Sequence, residues 1–360
     1  MRARSALGIL LATFVFSSPM SGAANAAEFS GKTVTFVIPF APGGGSDIWG
    51  RFNAGFLQKY LPGRPNVIVS NQPGAGSLSA ANQFAATAKP DGLTIFGTSS
   101  STQFPYLLGE TRAKYDYKKW NLVLAAPTGG VVYVSSRTGV RSLQDLRKSQ
   151  LQYHYASQGL TSGDLVPLLA FRLLGLDVKH VVGFPGRNEA RLAFERGETN
   201  IDYQTTSGFT RSVTPLIKNG AAVPLFSWGV LGADGRISRD PNFPDLPSVE
   251  EAYEILRGQK PSGLEWDAFR AFLLAGFAAQ KLIVLPAGTP DDIVEAYRKA
   301  VRDLRKDPEY LGRRDDLIGE YEQLTDAEGE SLYAAATPIS TEAREWVRSL
   351  LTREYSVKFD

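Results

Sequence analysis

One pattern governs this chain. An apolar run rich in β-branched and aromatic residues ends abruptly in small and hydroxyl residues, and a helix-like segment follows. Val34 to Phe40 breaks into Ala41-Pro42-Gly43-Gly44-Gly45-Ser46-Asp47, and Leu93 to Gly97 into Thr98-Ser99-Ser100-Ser101-Thr102. Leu151 to Ala156 runs into Ser157-Gln158-Gly159-Leu160-Thr161-Ser162-Gly163-Asp164. Val178 to Phe184 meets Pro185-Gly186-Arg187-Asn188-Glu189, and Ile201 to Tyr203 meets Gln204-Thr205-Thr206-Ser207-Gly208. Strands alternating with helices predict an α/β protein with largely parallel sheets. Ligands of such sheets bind beyond the carboxyl ends of the strands, where these bursts fall. Each burst leads into a helix N-terminus, whose unpaired N–H groups and dipole favour an anion.

Further along, Thr289-Pro290-Asp291-Asp292 reads as a helix start, followed by Ile293, Tyr297, Ala300, Val301 and Leu304 at helical spacing. A last helix is predicted from Asp326 to Leu351, and Asp234 to Pro247 reads as a polar, proline-rich excursion over the surface. The 360 residues suit two lobes, with 43% hydrophobic and 21% charged residues as in a folded, soluble protein.

The N-terminus does not belong to that core. Arg2 and Arg4 precede the apolar run Ala6 to Phe16, and small residues lead to Ala24-Asn25-Ala26. Residues 1–26 are therefore expected to be a cleaved signal peptide that exports the chain to a bacterial periplasm. The chain has 39 basic and 37 acidic residues, so losing Arg2 and Arg4 leaves a formally neutral protein. A nucleic-acid partner loses its electrostatic support. With no cysteine there is no disulfide, thiolate metal site or cysteine nucleophile.

Catalytic and nucleotide chemistry finds little to work with. A P-loop needs a lysine after its glycines, where this chain has Ser46-Asp47. No G-x-S-x-G elbow or H-E-x-x-H pair occurs, and His154 and His180 sit inside apolar runs as packed strand residues. Neither a cofactor nor a metal is expected. The hydroxyls of the bursts either cap helices or contact ligand. Arg187, at the mouth of a strand-to-helix loop with Arg191 one turn on, is either a bidentate grip for a carboxylate or a solvated helix-start arginine.

Taken together these stretches resemble the substrate-binding proteins of tripartite tricarboxylate transporters, the Bug-type receptors. The landmarks are VIPFAPGGGSDI (37–48), NQPGAGS (71–77), KPDGLTIFGTSS (89–100), YASQGLTSGDL (155–165), GETNID (197–202), FPDLPSVEEA (243–252) and LPAGTPDDIV (285–294). The resemblance implies a two-lobed α/β periplasmic-binding fold, type II-like, with two crossover segments and a ligand cleft between the lobes. Lobe one would be residues 28–124 plus 277–360, and lobe two 125–276. It further implies a non-catalytic, monomeric receptor that captures a small carboxylate, aliphatic or aromatic, and delivers it to membrane permease subunits. A sensor of the same fold and a periplasmic enzyme are the alternatives.

By the same resemblance Phe40, Ala41, Gly43, Gly44, Gly45, Asp47, Thr98 and Ser99 hold ligand from lobe one. Ser157, Thr161 and Ser162 grip its carboxylate from lobe two, and Phe184, Gly186, Arg187, Tyr203 and Thr205 complete the pocket. The chain departs from the family at Phe184-Pro185-Gly186, where Tyr-Lys-Gly is usual, and at Arg187, where a small residue is usual. It also carries an added segment through Lys260, Trp266 and Phe272, read as an extra helix or two.

Overall fold

The computed structural model describes residues 27–231 and 236–359; the expected signal peptide, 1–26, lies outside the described residues. The strand–burst–helix pattern is realised along the chain. Strand β1 (Thr33–Ile38) carries Val34, Phe36 and Ile38 at 0% exposure and ends at the glycines that open the helix Gly45–Tyr60. That helix buries Trp49, Phe52, Phe56 and Leu57 on one face, and Trp49 packs edge-on to Phe36 at 6.2 Å. Each such side chain, withdrawn from water, contributes roughly 1.5–3 kcal/mol. Strands β2 (Asn66–Asn71) and β3 (Thr94–Thr98) flank β1 in parallel register. Strand β4 (Asn121–Ala126) then leads the chain out of this sheet.

The second lobe begins with β5 (Gly130–Ser135), buried along its whole length. Strands β6 (Tyr153–Ser157) and β7 (Val178–Val182) pair in parallel, and β8 (Ile201–Thr205) and β9 (Ala222–Ser227) flank β5 on either side. A small hairpin joins β10 (Val230–Leu231) to β11 (Ile237–Ser238). Finally β12 (Lys281–Leu285) returns to the first sheet and lies between β3 and β4, giving the order β2-β1-β3-β12-β4.

The sheets are mixed rather than largely parallel. Strand β12 runs antiparallel to β3 and β4, and β5 runs antiparallel to β8 and β9. The cause is the double crossing: β4 leads out of the first lobe and β12 leads back in beside it, so the two must run in opposite directions. Thr128 N–H, on the outward crossing, donates to the carbonyl of Phe277 on the return at 3.0 Å.

Two further expectations are corrected. The last helix is two, Asp326–Ala336 and Thr341–Tyr355, because Pro338 cannot continue the first and Ser340 caps the second through Ala343 N–H at 3.1 Å. The stretch after residue 236 is not wholly a surface excursion. Asp240 is 0% exposed and accepts the Tyr321 hydroxyl at 2.6 Å. The added segment forms the helices Val249–Arg257 and Leu264–Leu273. Trp266, Phe269 and Phe272 of the latter share a core with Leu168 and Phe171 of lobe two and with Val347 and Leu350 of the last helix.

Candidate functional site

The carboxyl ends of β1, β3, β6 and β8 and the start of β12 all face one narrow space between the lobes. Its walls touch. Ser207 Oγ donates to the Gly45 carbonyl at 3.1 Å, Gly163 N–H to Ser101 Oγ at 2.9 Å, and Thr161 Oγ1 to Glu110 at 2.7 Å. What remains is a cavity of about 30 Å³, lined among others by Phe40, Ala41, Gly44, Gly45, Ser99, Arg187, Tyr203 and Thr205.

The three glycines serve this closure. Gly43 has φ +83°, a conformation that glycine adopts without strain. Gly45 matters for another reason: a methyl group there would collide with Thr205 Oγ1 across the cleft. Asp47 stands behind them as an organiser. It accepts Gly43 N–H at 2.9 Å and Asn71 Nδ2 at 2.9 Å, and it pairs with Arg51 at 3.0 Å. Its carboxylate thus reaches back over the helix start like the acid of a capping box.

Arg187 is the centre of the opposite wall, and it is buried, with 8% of its surface exposed. Its guanidinium bonds Asp202, approaches Asp164 at 3.4 Å, and donates to the carbonyls of Ala156 and Tyr203, each at 2.8 Å. The rings of Tyr155 and Tyr203 lie 5.0 and 4.8 Å from its carbon centre. Burial opposes its charge, but Asp202, Asp164 and the tyrosines outweigh that, so it stays ionised. Burial in turn pushes the Asp202 carboxyl upward against the pull of Arg187 and the Tyr133 hydroxyl. Asp164 also takes the Tyr155 hydroxyl at 2.7 Å and Gln158 N–H at 2.6 Å, which shapes the loop after β6. The solvated-arginine alternative is therefore overturned, since two acids drawn from other elements bury the side chain.

The hydroxyls expected to grip a carboxylate have partners already. Ser157 Oγ donates to Asp164 at 3.2 Å, Thr161 to Glu110, and Ser162 Oγ to the Gly159 carbonyl at 2.6 Å. Of the other expected residues, Gly43 packs against Asn188, Gly186 against Ala41, and Thr98 is buried at the end of β3. Phe184 lines a shallow outer surface with Val182, Pro185 and Leu192.

Ser46, Ser100 and Gln158, from the loops expected to hold ligand, complete the cavity with Ser101, Gln280 and Lys281, which lie outside those loops. Ser100 Oγ, Gln158 Nε2, Gln280 Oε1 and Arg187 Nε are buried there without a hydrogen-bond partner. Lys281, at the first position of β12 and 3% exposed, donates to Ser46 Oγ at 2.7 Å. Burial pushes its amine down to about 7. Gln280 and Lys281 follow a π-helical turn, Leu274–Ala278, of the kind that re-aims a helix end at functional sites. The one signal for Lys281 was a charged residue opening the otherwise apolar run LIVL.

The chain's relatives agree with this architecture. The family model described as "Tripartite tricarboxylate transporter family receptor" matches residues 54–317. A UPF0065 protein of Bordetella pertussis is 29% identical over 304 residues, covering 81% of this chain and 82% of that protein. Among solved structures, the periplasmic binding protein BugD superposes with a TM-score of 0.67 at 21% identity, covering 89% of this chain and 97% of BugD. Rhodopseudomonas palustris Rpa4515, determined with adipate, gives a TM-score of 0.68 at 18% identity, covering 89% and 96%. The periplasmic-binding fold, the double crossing and a family match over most of the chain lead to one conclusion: the chain belongs to the tripartite tricarboxylate transporter receptor family.

Proposed function

We propose that this chain is a periplasmic solute receptor whose lobes close on a small organic carboxylate and hand it to the membrane subunits of a tripartite transporter. Lobe one is 28–124 plus 277–360 and lobe two 125–276, with the last helix reaching across to the core of lobe two. The observation that carries the reading is the set of unpartnered polar atoms buried where the lobes meet, on Ser100, Gln158, Arg187 and Gln280. Closing over such atoms with nothing bound costs roughly 1–3 kcal/mol for each group. A carboxylate that satisfies them gives the closed state its differential affinity, which is what drives lobe closure. The adipate-bound relative supports an acid as cargo. In this reading the ligand leaves unchanged, and the signal segment places the mature chain in the periplasm.

The test is calorimetry and thermal shift on the mature protein with succinate, L-malate, adipate and benzoate. At least one acid should bind one-to-one and raise the melting temperature with the logarithm of its concentration. Equal responses to the acids and to their neutral amides would contradict the reading.

A further inference from the structure

Lys281 differs from Arg187, the other cation of the cleft, in having no acid beside it. Its amine lies in the wall of the interlobe cavity, and it donates to a neutral hydroxyl, Ser46 Oγ. Among the described residues no carboxylate pairs with it within 4.0 Å. The charged group that shares the cavity is Arg187, whose charge is taken up by Asp164 and Asp202. Tyr203 of β8 lines the same space, and burial holds its hydroxyl above its ordinary value, so it is neutral near pH 7. The helix starting at Ser100 contributes neutral hydroxyls. The Arg187 cluster holds two carboxylates for one guanidinium, whereas Lys281, at the other side of the cavity, has no acid beside it.

A buried ammonium with one neutral acceptor is costly, and there are two ways to relieve it: loss of the proton or arrival of an anion. The strand position fixes the side from which an anion can arrive. Lys281 pairs with Ala126 at the point where both crossovers pass between the lobes, so its amine opens into the cleft and not to bulk water.

We propose that Lys281 is the charge partner of the cargo: one carboxylate of a small organic acid takes its ammonium when the lobes shut, and capture takes up a proton wherever the amine was neutral beforehand. This rests on the carboxylate-receptor reading above and specifies it. Lys281 is the one of the two cations with no acid beside it, so one carboxylate is held there, and a second must rely on neutral donors such as Ser100 and Gln158. In the shut cleft burial brings the amine down to about 7, so an anion must hold it charged there and binding should weaken as pH rises above that value. One proton per site limits the loss to about tenfold in affinity per pH unit.

The experiment is calorimetry with the tightest-binding acid of the four at about pH 6 and about pH 8.5, at each pH in two non-carboxylate buffers that hold that pH and differ in ionisation enthalpy. Wild type should take up a proton at the higher pH and bind there at least tenfold more weakly. Lys281→Met should lose about 100-fold or more at pH 6 and show no buffer dependence, with its melting curve confirming that it folds. Lys281→Arg, which cannot deprotonate, should keep binding and lose the proton uptake. An acid that binds wild type and Lys281→Met alike, with no proton uptake, overturns this proposal and leaves the receptor reading standing. Failure of every acid to bind wild type overturns the receptor reading and this proposal with it.

Discussion

Arg187 and Lys281 face the same cavity from opposite lobes, and both are almost wholly buried. Arg187 is surrounded by Asp164, Asp202, two carbonyls and two tyrosine rings. Lys281 has one serine hydroxyl. The contrast separates architecture from recognition. A cation whose charge the protein has already neutralised holds the wall together and contributes at most its spare Nε–H to a ligand. A cation left unneutralised is where a ligand's charge can be felt. Arg187 drew attention in the sequence because it follows a glycine at a helix start, and Lys281 did not because it opens an apolar strand.

Substitutions at either cation separate the two roles. The largest effect should come from Arg187→Met, which strands Asp164 and Asp202 in the interior. Urea unfolding should show a loss of about 3–5 kcal/mol, since removing one member of a buried ion pair leaves the others uncompensated. Adding Asp202→Asn should recover part of it. A loss under about 1 kcal/mol would mean the wall does not depend on that network.

Next, Gly45→Ala should weaken binding of the best acid at least tenfold in calorimetry while the protein still folds, because the added methyl meets Thr205 Oγ1 only when the lobes close. Gly55→Ala, on the outer face of the same helix, is the control. Its methyl would meet nothing within 4 Å and should leave affinity unchanged.

A further effect concerns pH and stability without ligand. Lys281 has its folded value depressed to about 7, so the unfolded chain binds more protons from there up to the ordinary lysine value. Stability should therefore rise with pH across that window in wild type relative to Lys281→Met, by at most about 1.4 kcal/mol per pH unit. The difference in chemical unfolding between the two proteins checks both sign and window. The last substitution is Asp47→Ala. It removes the acceptor of Gly43 N–H and Asn71 Nδ2 and the partner of Arg51, and should cost about 1–3 kcal/mol in chemical unfolding.

Much of the fold was legible because its cause is local. A β-branched run that stops at Gly-Gly-Gly or Ser-Ser-Ser can hardly do other than end a strand and start a helix, so the junctions before Gly45 and at 98–100 fall where expected, while β8 runs on through Gln204 and Thr205 before its helix starts at Thr206. Strand direction was not local: β12 turns antiparallel because of a crossing that begins some 150 residues earlier at β4. Pro338 was visible and should have split the last helix. In the site, Phe40, Ala41, Gly44, Gly45, Ser99, Arg187, Tyr203 and Thr205 line the cavity. The hydroxyls at 157, 161 and 162 spend their donors on Asp164, Glu110 and Gly159. Those partners come from other elements or from the loop's own fold, and spacing along the chain does not reveal them. Gln280 and Lys281 escaped for the same reason, since their exposure to the cleft is set by the π turn before them.

The central claim is that the closed cleft holds a carboxylate through Lys281. A crystal structure of the mature protein grown with its tightest-binding acid tests it directly. The account predicts shut lobes with a ligand carboxylate oxygen roughly 3 Å from Lys281 Nζ. A ligand carboxylate seated on the 157–162 loop, with Lys281 still bonded to Ser46 alone, would contradict it.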